Sequence, residues 1–291
     1  MIGTEVAAVG VVTGWGESTA ALPPDAVRAA AGRRVIAAER PSLVGERFRR
    51  ATRECLLGVA AVEALLREAR LGRAEVCGRE TALVYVTAAA YGSSNREFIG
   101  AGTARTEDSV GGLSEVRRGS GLKKALAGSV ASSPLHFPYT APSAVPGEVA
   151  IEFGLTGPYV ILLGGAAATI DGLWQATLLL GRGQCRRALV LAVETFAECE
   201  ELWARGRWLL RPPLVEAAAC ALLVPGPWRT TYAPASTPSP LEALARARAG
   251  ETLACAPLIA LALAPAAGGA RPLRLTGAWR GRRAGLAWGD D

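Results

Sequence analysis

The chain has 291 residues, of which half are hydrophobic, and it carries a formal net charge of +6 and a single histidine. A chain of this length and apolar content can bury a large core, which excludes an intrinsically disordered protein. Thirty of the 32 basic residues are arginines, and they are dispersed among acidic residues, so we predict a solvated charged surface and no nucleic-acid partner.

The first half of the chain alternates apolar strands with helices. Val6–Val12 is predicted as a buried strand, Glu46–Arg70 as a long helix with one apolar face, and Ala82–Val86 as a second buried strand. The region Tyr91–Ser120 is rich in Gly, Ser and Thr and is predicted as a surface excursion. A helix is predicted over Gly147–Phe153.

The same alternation continues after residue 158. A strand is predicted over Tyr159–Leu163, a helix over Ala166–Leu180 and a strand over Ala188–Val193. Strands that are apolar on both faces and alternate with helices indicate a sheet covered by helices on each side, so the predicted class is α/β. The Pro-, Ser- and Thr-rich stretch Thr230–Pro240 is predicted as a connector. A short helix and three strands follow, predicted at Leu241–Ala249 and near Leu258–Leu263, Leu273–Ala278 and Ala284–Trp288.

Six cysteines occur without any C-x-x-C pair and mostly in apolar surroundings, which predicts reduced core thiols rather than disulfides or metal ligands. The first residues lack the basic segment of a secretion signal. The most apolar run, Leu253–Ala267, contains Pro257 and Pro265 and is too short to span a bilayer. We therefore expect a cytoplasmic protein with no membrane partner.

The segment Gly157–Thr169 carries the most specific signal. Here a buried strand runs into a turn of small residues and then into a helix. A side chain exposed at such a turn lies at a helix N-terminus, where the macrodipole and free backbone N–H groups lower the pKa of a thiol and bind an oxyanion. The candidate position is Ala166, which carries only a methyl group, and Gly164–Ala168 contains no Cys, Ser or Thr.

The segment Ser133–Pro158, this turn, the helix after it and Glu194 together resemble the β-ketoacyl synthases of the thiolase superfamily. The resemblance places Ala166 at the catalytic cysteine of the family. It implies a thiolase-like layered αβαβα fold with a truncated C-terminal half, because the chain has room for one complete half and part of the second. We predict an N-terminal half at residues 1–228 and a reduced C-terminal half at residues 229–291 that completes the same domain.

The family's decarboxylative condensation needs a cysteine to carry the acyl chain and two histidines to polarise the malonyl thioester. This chain has Ala166 at the cysteine position, and His136 is its single histidine. The resemblance therefore implies a subunit that is not catalytic by itself. No cofactor is implied, and the sequence contains no dinucleotide, phosphate-binding or metal-ligand motif. Glu194 and Glu216 match acidic positions of the family, and we expect both to be hydrogen-bonded structural residues.

Because it lacks the catalytic groups and has a short C-terminal half, the chain resembles the small chain-length factors of highly reducing type II polyketide synthases. Those synthases make polyenes of the ishigamide or aryl-polyene kind. This resemblance implies a heterodimer with an active ketosynthase and contact with the acyl chain that an acyl carrier protein delivers. Strand Tyr159–Leu163 would pair with its counterpart in the partner and cover an open sheet edge. Side chains at the interface would then end or bend the acyl tunnel. The predicted tunnel and interface residues are Pro134, Leu135, His136, Phe137, Tyr139, Leu163, Ala166 and Ile170.

Two other functions stay open. The first is an acyltransferase of the same superfamily that uses Ser93, Ser94 or Cys199 as its nucleophile. The second is a scaffold that binds a ketosynthase or a carrier protein without shaping a tunnel. A general-base role for His136 with Ser132 or Ser133 is disfavoured, because adjacent residues rarely converge on one reacting atom and a triad also needs an orienting acid.

Overall fold

A mixed β-sheet with helices on both faces organises the chain. The computed structural model describes residues 3–49, 51–90, 139–196, 212–266, 268 and 272–289. The strands are β1 (Gly3–Thr13), β2 (Gly16–Glu17), β3 (Val35–Ile36), β4 (Thr81–Thr87), β5 (Tyr159–Leu163), β6 (Arg187–Glu194), β7 (Leu214–Val215), β8 (Ala217–Pro234), β9 (Leu273–Trp279) and β10 (Arg282–Gly289). The helices are α1 (Ala26–Ala30), α2 (Arg53–Ala69), α3 (Arg73–Val76), α4 (Ala144–Phe153), α5 (Ala166–Gly181), α6 (Pro240–Ala249) and α7 (Ala256–Leu263).

The main sheet has the strand order β2-β1-β8-β6-β4-β5. Strand β4 is parallel to both β5 and β6, whereas β8 is antiparallel to β6 and to β1. Every residue of β4, and every residue of β6 after Arg187, is buried. Strands covered on both faces need apolar side chains throughout, which explains their continuous Val, Leu and Ala runs. Strand β5 forms one outer edge of this sheet.

Two apolar cores lie on the two faces of the sheet. Helices α2 and α4 cover one face, where Leu57 and Leu65 pack with Tyr85 and Val149. Helices α5, α6 and α7 contribute to the core on the other face, which contains Leu173 and Leu258. The predicted α/β class, with helices on each side of a sheet, is confirmed.

Strand β8 also begins a second, smaller sheet layer. Its last residues, Arg229–Pro234, pair with β10, and β10 pairs with β9. Helix α5 packs against β4 and β6 on one side and against β9 and β10 on the other, so helix and sheet layers alternate through the molecule. From Val224 to Pro234 exposed positions alternate with more buried ones, which places one face of this part of β8 in solvent.

Several predicted elements need correction. Leu258–Leu263 was expected as a strand, but it is part of helix α7, which has Pro257 in its first turn and packs against β1 and β9. A helix that is covered on most sides is apolar on most sides, so its sequence shows no amphipathic period. Thr230–Pro234 was expected in a connector but is the paired end of β8. Helix α2 begins at Arg53 instead of Glu46, because Thr52 caps it and Glu46–Arg49 form a separate 3-10 turn.

Other predicted elements are confirmed. Strand β5 has the predicted bounds, and α5 begins at Ala166 as expected. Helix α4 ends at Phe153 as predicted, with Gly154 as its C-cap in a left-handed conformation (φ +63°), but it begins at Ala144 instead of Gly147. The excursion predicted at Tyr91–Ser120 lies outside the described residues. The division of the chain after residue 228 stays a prediction.

Candidate functional site

The turn between β5 and α5 forms the elbow that the sequence predicts. Gly164 N donates a hydrogen bond to Thr87 O at 2.8 Å, which ties the end of β5 to β4. Gly165 is the N-cap of α5, and its carbonyl accepts a hydrogen bond from Ala168 N at 2.9 Å. The half-buried Ala166 is the first residue of the helix, so its methyl group lies at the positive end of the helix dipole.

Strand β9 packs directly over this elbow through Gly277 and Trp279, neither of which was predicted from the sequence. A β-carbon on Gly277 would lie 2.5 Å from Ala166 O, and a β-carbon on Gly165 would lie 2.3 Å from Cε3 of Trp279. Both distances are far below an ordinary van der Waals contact, so the close approach of β9 to the elbow requires glycine at positions 165 and 277. No local pattern signals it, because it joins segments far apart in the sequence.

An apolar cluster extends from the elbow region. Phe196, Leu214 and Leu253 form its buried part, and Ala88 and Trp279 pack against it. The 3-10 turn Leu253–Cys255 is fixed beside α5, because Thr169 Oγ1 donates a hydrogen bond to Ala254 O at 2.6 Å. The described surroundings of the elbow are therefore largely hydrocarbon, with one carboxyl group nearby.

That carboxyl group belongs to Glu194, at the end of β6. It accepts hydrogen bonds from Ala88 N at 2.6 Å, Ala89 N at 2.9 Å and Ala254 N at 3.3 Å. Burial raises the pKa of Glu194 to about 8, although the three backbone N–H groups act in the opposite direction. Glu194 therefore connects the segment that follows β4 with the turn around Ala254. This is the hydrogen-bonded structural role expected from the sequence.

Glu216 has a comparable structural environment between β7 and β8. Its carboxylate accepts two hydrogen bonds from the Arg53 guanidinium, at 2.5 and 2.6 Å, and others from Ala38 N at 2.9 Å and Phe196 N at 2.6 Å. A buried bidentate ion pair of this kind orients the elements that it joins. Neither glutamate has the open surroundings of a general base.

The buried cysteines are not activated thiols. Burial raises the pKa of Cys55 to about 12 and raises the pKa of Cys220 and Cys255 as well. A catalytic thiol needs the reverse shift, since the thiolate is the nucleophile. Cys199, Ser93 and Ser94, the alternative nucleophiles named above, lie outside the described residues.

The predicted interface residues fall into different environments. Leu163 ends β5 and is 58% exposed, whereas Ile170, one turn into α5 from Ala166, is fully buried in the core. Tyr139 is half-buried and packs against the core of α2 and α4, on the opposite face of the sheet from α5. Outside the described residues lie Pro134, Leu135, His136 and Phe137.

The two outer edges of the main sheet differ in chemistry. Strand β5 consists of five apolar residues, Tyr159–Leu163, and pairs with β4 alone in the described part of the chain. Its end residues, Tyr159 and Leu163, are 48% and 58% exposed. Uncharged, regular edge strands readily pair with another chain.

The opposite edge, β1, carries features that discourage such pairing. Its register shifts at Ala7, which produces a β-bulge, and its last residues pair with β2. A groove of about 530 Å³ follows β1, and the ion pair between Glu17 and Arg67 contributes to its lining. Bulges and charges are the usual protections of an edge strand. Of the two edges, β5 is therefore the one better suited to pair with a strand of another chain.

Among the described residues, no cluster of three or more His, Cys, Asp or Glu side chains could hold a metal ion. None of the helices in the described ranges is both long enough and apolar enough to cross a membrane.

No family model and no curated protein matches the sequence. Solved structures nevertheless share its architecture. A chain of the AntDE:AntF complex, a type II polyketide synthase ketosynthase with its acyl-carrier protein, superposes with a TM-score of 0.76 at 12% identity over 99% of both chains.

Two further structures extend this comparison. The ishigamide ketosynthase/chain length factor superposes with a TM-score of 0.64 at 15% identity, over 98% of this chain and 99% of the other. The ketosynthase ApeO in complex with its chain length factor ApeC, from Xenorhabdus doucetiae, gives a TM-score of 0.59 at 15% identity over the whole of both chains. The chain therefore has the thiolase-like fold of the ketosynthases and chain length factors.

Proposed function

We propose that this chain is the non-catalytic chain-length factor of a type II polyketide synthase and forms a heterodimer with an active ketosynthase. The observation that carries the proposal is Ala166, which occupies the elbow where a condensing enzyme needs its nucleophile. The fold of a condensing enzyme is retained, but the group that would bind the acyl chain is absent.

The other thiols and the buried carboxyl group in the described part of the chain support this assignment. The buried thiols Cys55, Cys220 and Cys255 have raised pKa values, and Glu194 is held by three backbone N–H groups. His136 is the single histidine in the entire sequence, whereas the condensation uses two. A contribution through shape is therefore favoured over a contribution through chemistry.

Strand β5 supplies the partner surface in this proposal. The ketosynthase would add its own counterpart strand antiparallel to β5 and satisfy the outward backbone groups of Tyr159–Leu163. The elbow follows directly after β5, so pairing here places the two elbows near one pseudo-twofold axis. The ketosynthase cysteine would carry the chain, and this subunit would close the far end of its tunnel.

Chain length then depends on the volume left at that end. Added bulk in an apolar cavity typically costs about 1–3 kcal/mol, which is enough to change the ratio of products that differ by one two-carbon unit. The predicted residues for this role are Pro134, Leu135, His136, Phe137 and Tyr139, with Leu163, Ala166 and Ile170 near the axis. That the product is a polyene, as in the highly reducing type II systems, is part of the same proposal.

The test is reconstitution with a type II ketosynthase that retains its cysteine and both histidines, together with the acyl carrier protein of that ketosynthase. We expect a one-to-one complex that makes products of a defined length, analysed by mass spectrometry. Replacing Phe137 with Ala should lengthen the products, whereas His136→Trp should shorten them, at similar total turnover.

Two results would contradict the proposal. A scaffold would gain or lose total activity with no change in the length distribution. An acyltransferase would transfer an acyl group in the absence of the ketosynthase, and Cys199→Ala, Ser93→Ala or Ser94→Ala would abolish that transfer.

A further inference from the structure

Strand β5 is covered unevenly on its two faces. Tyr159, Ile161 and Leu163 lie on the side of α2 and α4, because Tyr159 is the register partner of Leu83, which belongs to the core on that side. Tyr159 and Leu163 are 48% and 58% exposed. The other two residues of β5 are half-buried against the core of α5. The α4 side of this edge strand is therefore an apolar face left partly in solvent.

A small groove separates this face from helix α4. It has a volume of about 260 Å³. Pro146, Gly147 and Ala150 line it on the helix side, and Leu83 and Tyr159 line it on the strand side. Helix α4 therefore stands beside β5 and leaves an open furrow at the edge of the sheet.

The charged side chains of α4 are held by ion pairs within the chain. Glu148 and Glu152 pair with Arg47 at 2.8 and 3.1 Å, and Glu152 also pairs with Arg73. The residues of α4 that line the groove are uncharged, and the neighbouring Ile151 is 69% exposed. The side of α4 toward the sheet edge is thus an uncharged surface that suits another apolar element better than water.

Gly147 is an unusual residue for the interior of a helix. Glycine destabilises a helix relative to alanine, and its usual benefit is a close approach of another element. Gly58 in α2 and Gly172 in α5 have this role, because a β-carbon on them would lie 2.8 and 3.1 Å from a valine side chain. A β-carbon on Gly147 would have no atom of the described residues within 4 Å. A closely packed element of another subunit would explain this glycine.

The geometry of a twofold pair identifies the element that fits. Two subunits of one fold that pair through the same strand bring the same elements together around the axis. Pairing at β5 therefore places α4 and the corresponding helix of the partner on one face of a continuous sheet. Because α4 stands over β4 and β5, its counterpart would lie two strand spacings away, which is about 10 Å. Two helices pack directly at this distance.

We propose that the groove side of α4 packs against the helix of the ketosynthase that corresponds to α4, and that this contact covers the exposed face of β5. The inference rests on the proposed function and adds a helix contact to the β5 interface. It gives a reason for glycine at position 147 and for the exposure of Tyr159 and Ile151.

The first test adds bulk at Gly147. Gly147→Leu should not destabilise this chain, because the space around it is open and leucine favours a helix, but it should raise the dissociation constant of the heterodimer at least about tenfold. Ala243→Leu is the matched control, because Ala243 is an exposed residue of helix α6, and it should change the dissociation constant by about twofold at most. Dilution of a fluorescently labelled complex measures the dissociation constant, and unfolding in urea checks the fold.

The outcomes separate this inference from the proposed function. A folded Gly147→Leu chain that pairs as tightly as the wild type overturns the inference and leaves the proposed function standing. A wild-type chain that forms no complex with the ketosynthase overturns the proposed function, and the inference with it.

A crosslink identifies the facing element without adding bulk to the groove. Ile151, one turn after Gly147, replaced by the photocrosslinker p-benzoylphenylalanine should attach to the ketosynthase helix that precedes the counterpart of β5. Val44 replaced in the same way is the control and should not attach to that helix. Attachment of the Ile151 variant to another ketosynthase segment, to the acyl carrier protein, to a second copy of this chain or to another part of the same chain would contradict the proposal. This measurement decides the question even where Gly147→Leu fails to fold.

Discussion

Trp279 lies directly against Gly165, so that a β-carbon on Gly165 would be 2.3 Å from the indole Cε3 atom. The contact joins the last residue of β9 to the residue before Ala166. It makes the geometry of the elbow dependent on the C-terminal hairpin as well as on β5 and α5.

Gly165→Ala should therefore destabilise the protein by at least about 2 kcal/mol, because the added methyl group overlaps the indole ring. Gly147→Ala is the matched control, since nothing lies within 4 Å of its β-carbon and it is in helix α4, and it should stabilise by about 0.5–1 kcal/mol. Chemical unfolding measures both. The cost of Gly165→Ala should shrink when Trp279 is also replaced with Leu, and an equal cost in both backgrounds would show that the two residues are not coupled.

Restoring a thiol at the elbow should not restore catalysis. We expect Ala166→Cys, paired with a ketosynthase whose own cysteine is replaced with Ala, to form no carbon–carbon bond from acyl- and malonyl-carrier proteins. The reason is that a single histidine remains in the sequence, whereas condensation needs two. Mass spectrometry of the carrier-bound products provides the measurement. A condensed product would show that this chain supplies the missing groups in another way.

A charge at the exposed end of β5 should weaken the heterodimer. Leu163→Lys places an ammonium group in an apolar interface and should raise the dissociation constant at least tenfold. Val44→Lys is the control, because Val44 is 98% exposed and lies outside β5, and it should change the affinity little. Equal effects of the two substitutions would exclude β5 as the docking edge.

The stability of the fold should decrease as the pH rises from about 4.5 to 8. The pKa of Glu194 is raised from 4.5 to about 8 by burial, so below pH 4.5 the carboxyl is protonated in both the folded and the unfolded chain. Between these values only the unfolded chain releases the proton, and the free energy of unfolding falls by up to about 1.4 kcal/mol per pH unit. Above pH 8 this contribution is lost completely.

Glu194→Gln tests this assignment, because glutamine cannot ionise. Its free energy of unfolding, measured in urea between pH 5 and 8, should vary with pH less steeply than that of the wild type. The difference between the two slopes should correspond to at most one proton taken up or released on unfolding. An unchanged slope would mean that Glu194 is ionised in the folded chain throughout this range.

Local sequence patterns predict the elbow well, because a strand, a turn of small residues and a helix are specified by neighbouring residues. The same logic locates β5 and Ala166. The strand predicted at Leu258–Leu263 is wrong, because a short apolar run is compatible with a buried strand or a buried helix. The helix α7 that forms there depends on packing against β1 and β9.

Contacts between distant segments could not be predicted from one sequence. Trp279 reaches Gly165, and Ala254 N donates a hydrogen bond to Glu194, only after the layers have assembled.

The pairing of β1 with β8 has a consequence for biosynthesis. Thr13 pairs with Ala217 and Gly3 with Arg229, so β1 is synthesised long before the strand β8 with which most of its residues pair. Such distant pairing slows folding and leaves an apolar strand exposed on the nascent polypeptide. Productive synthesis of this protein should consequently depend on slow translation, low temperature or chaperones more strongly than its final stability would suggest.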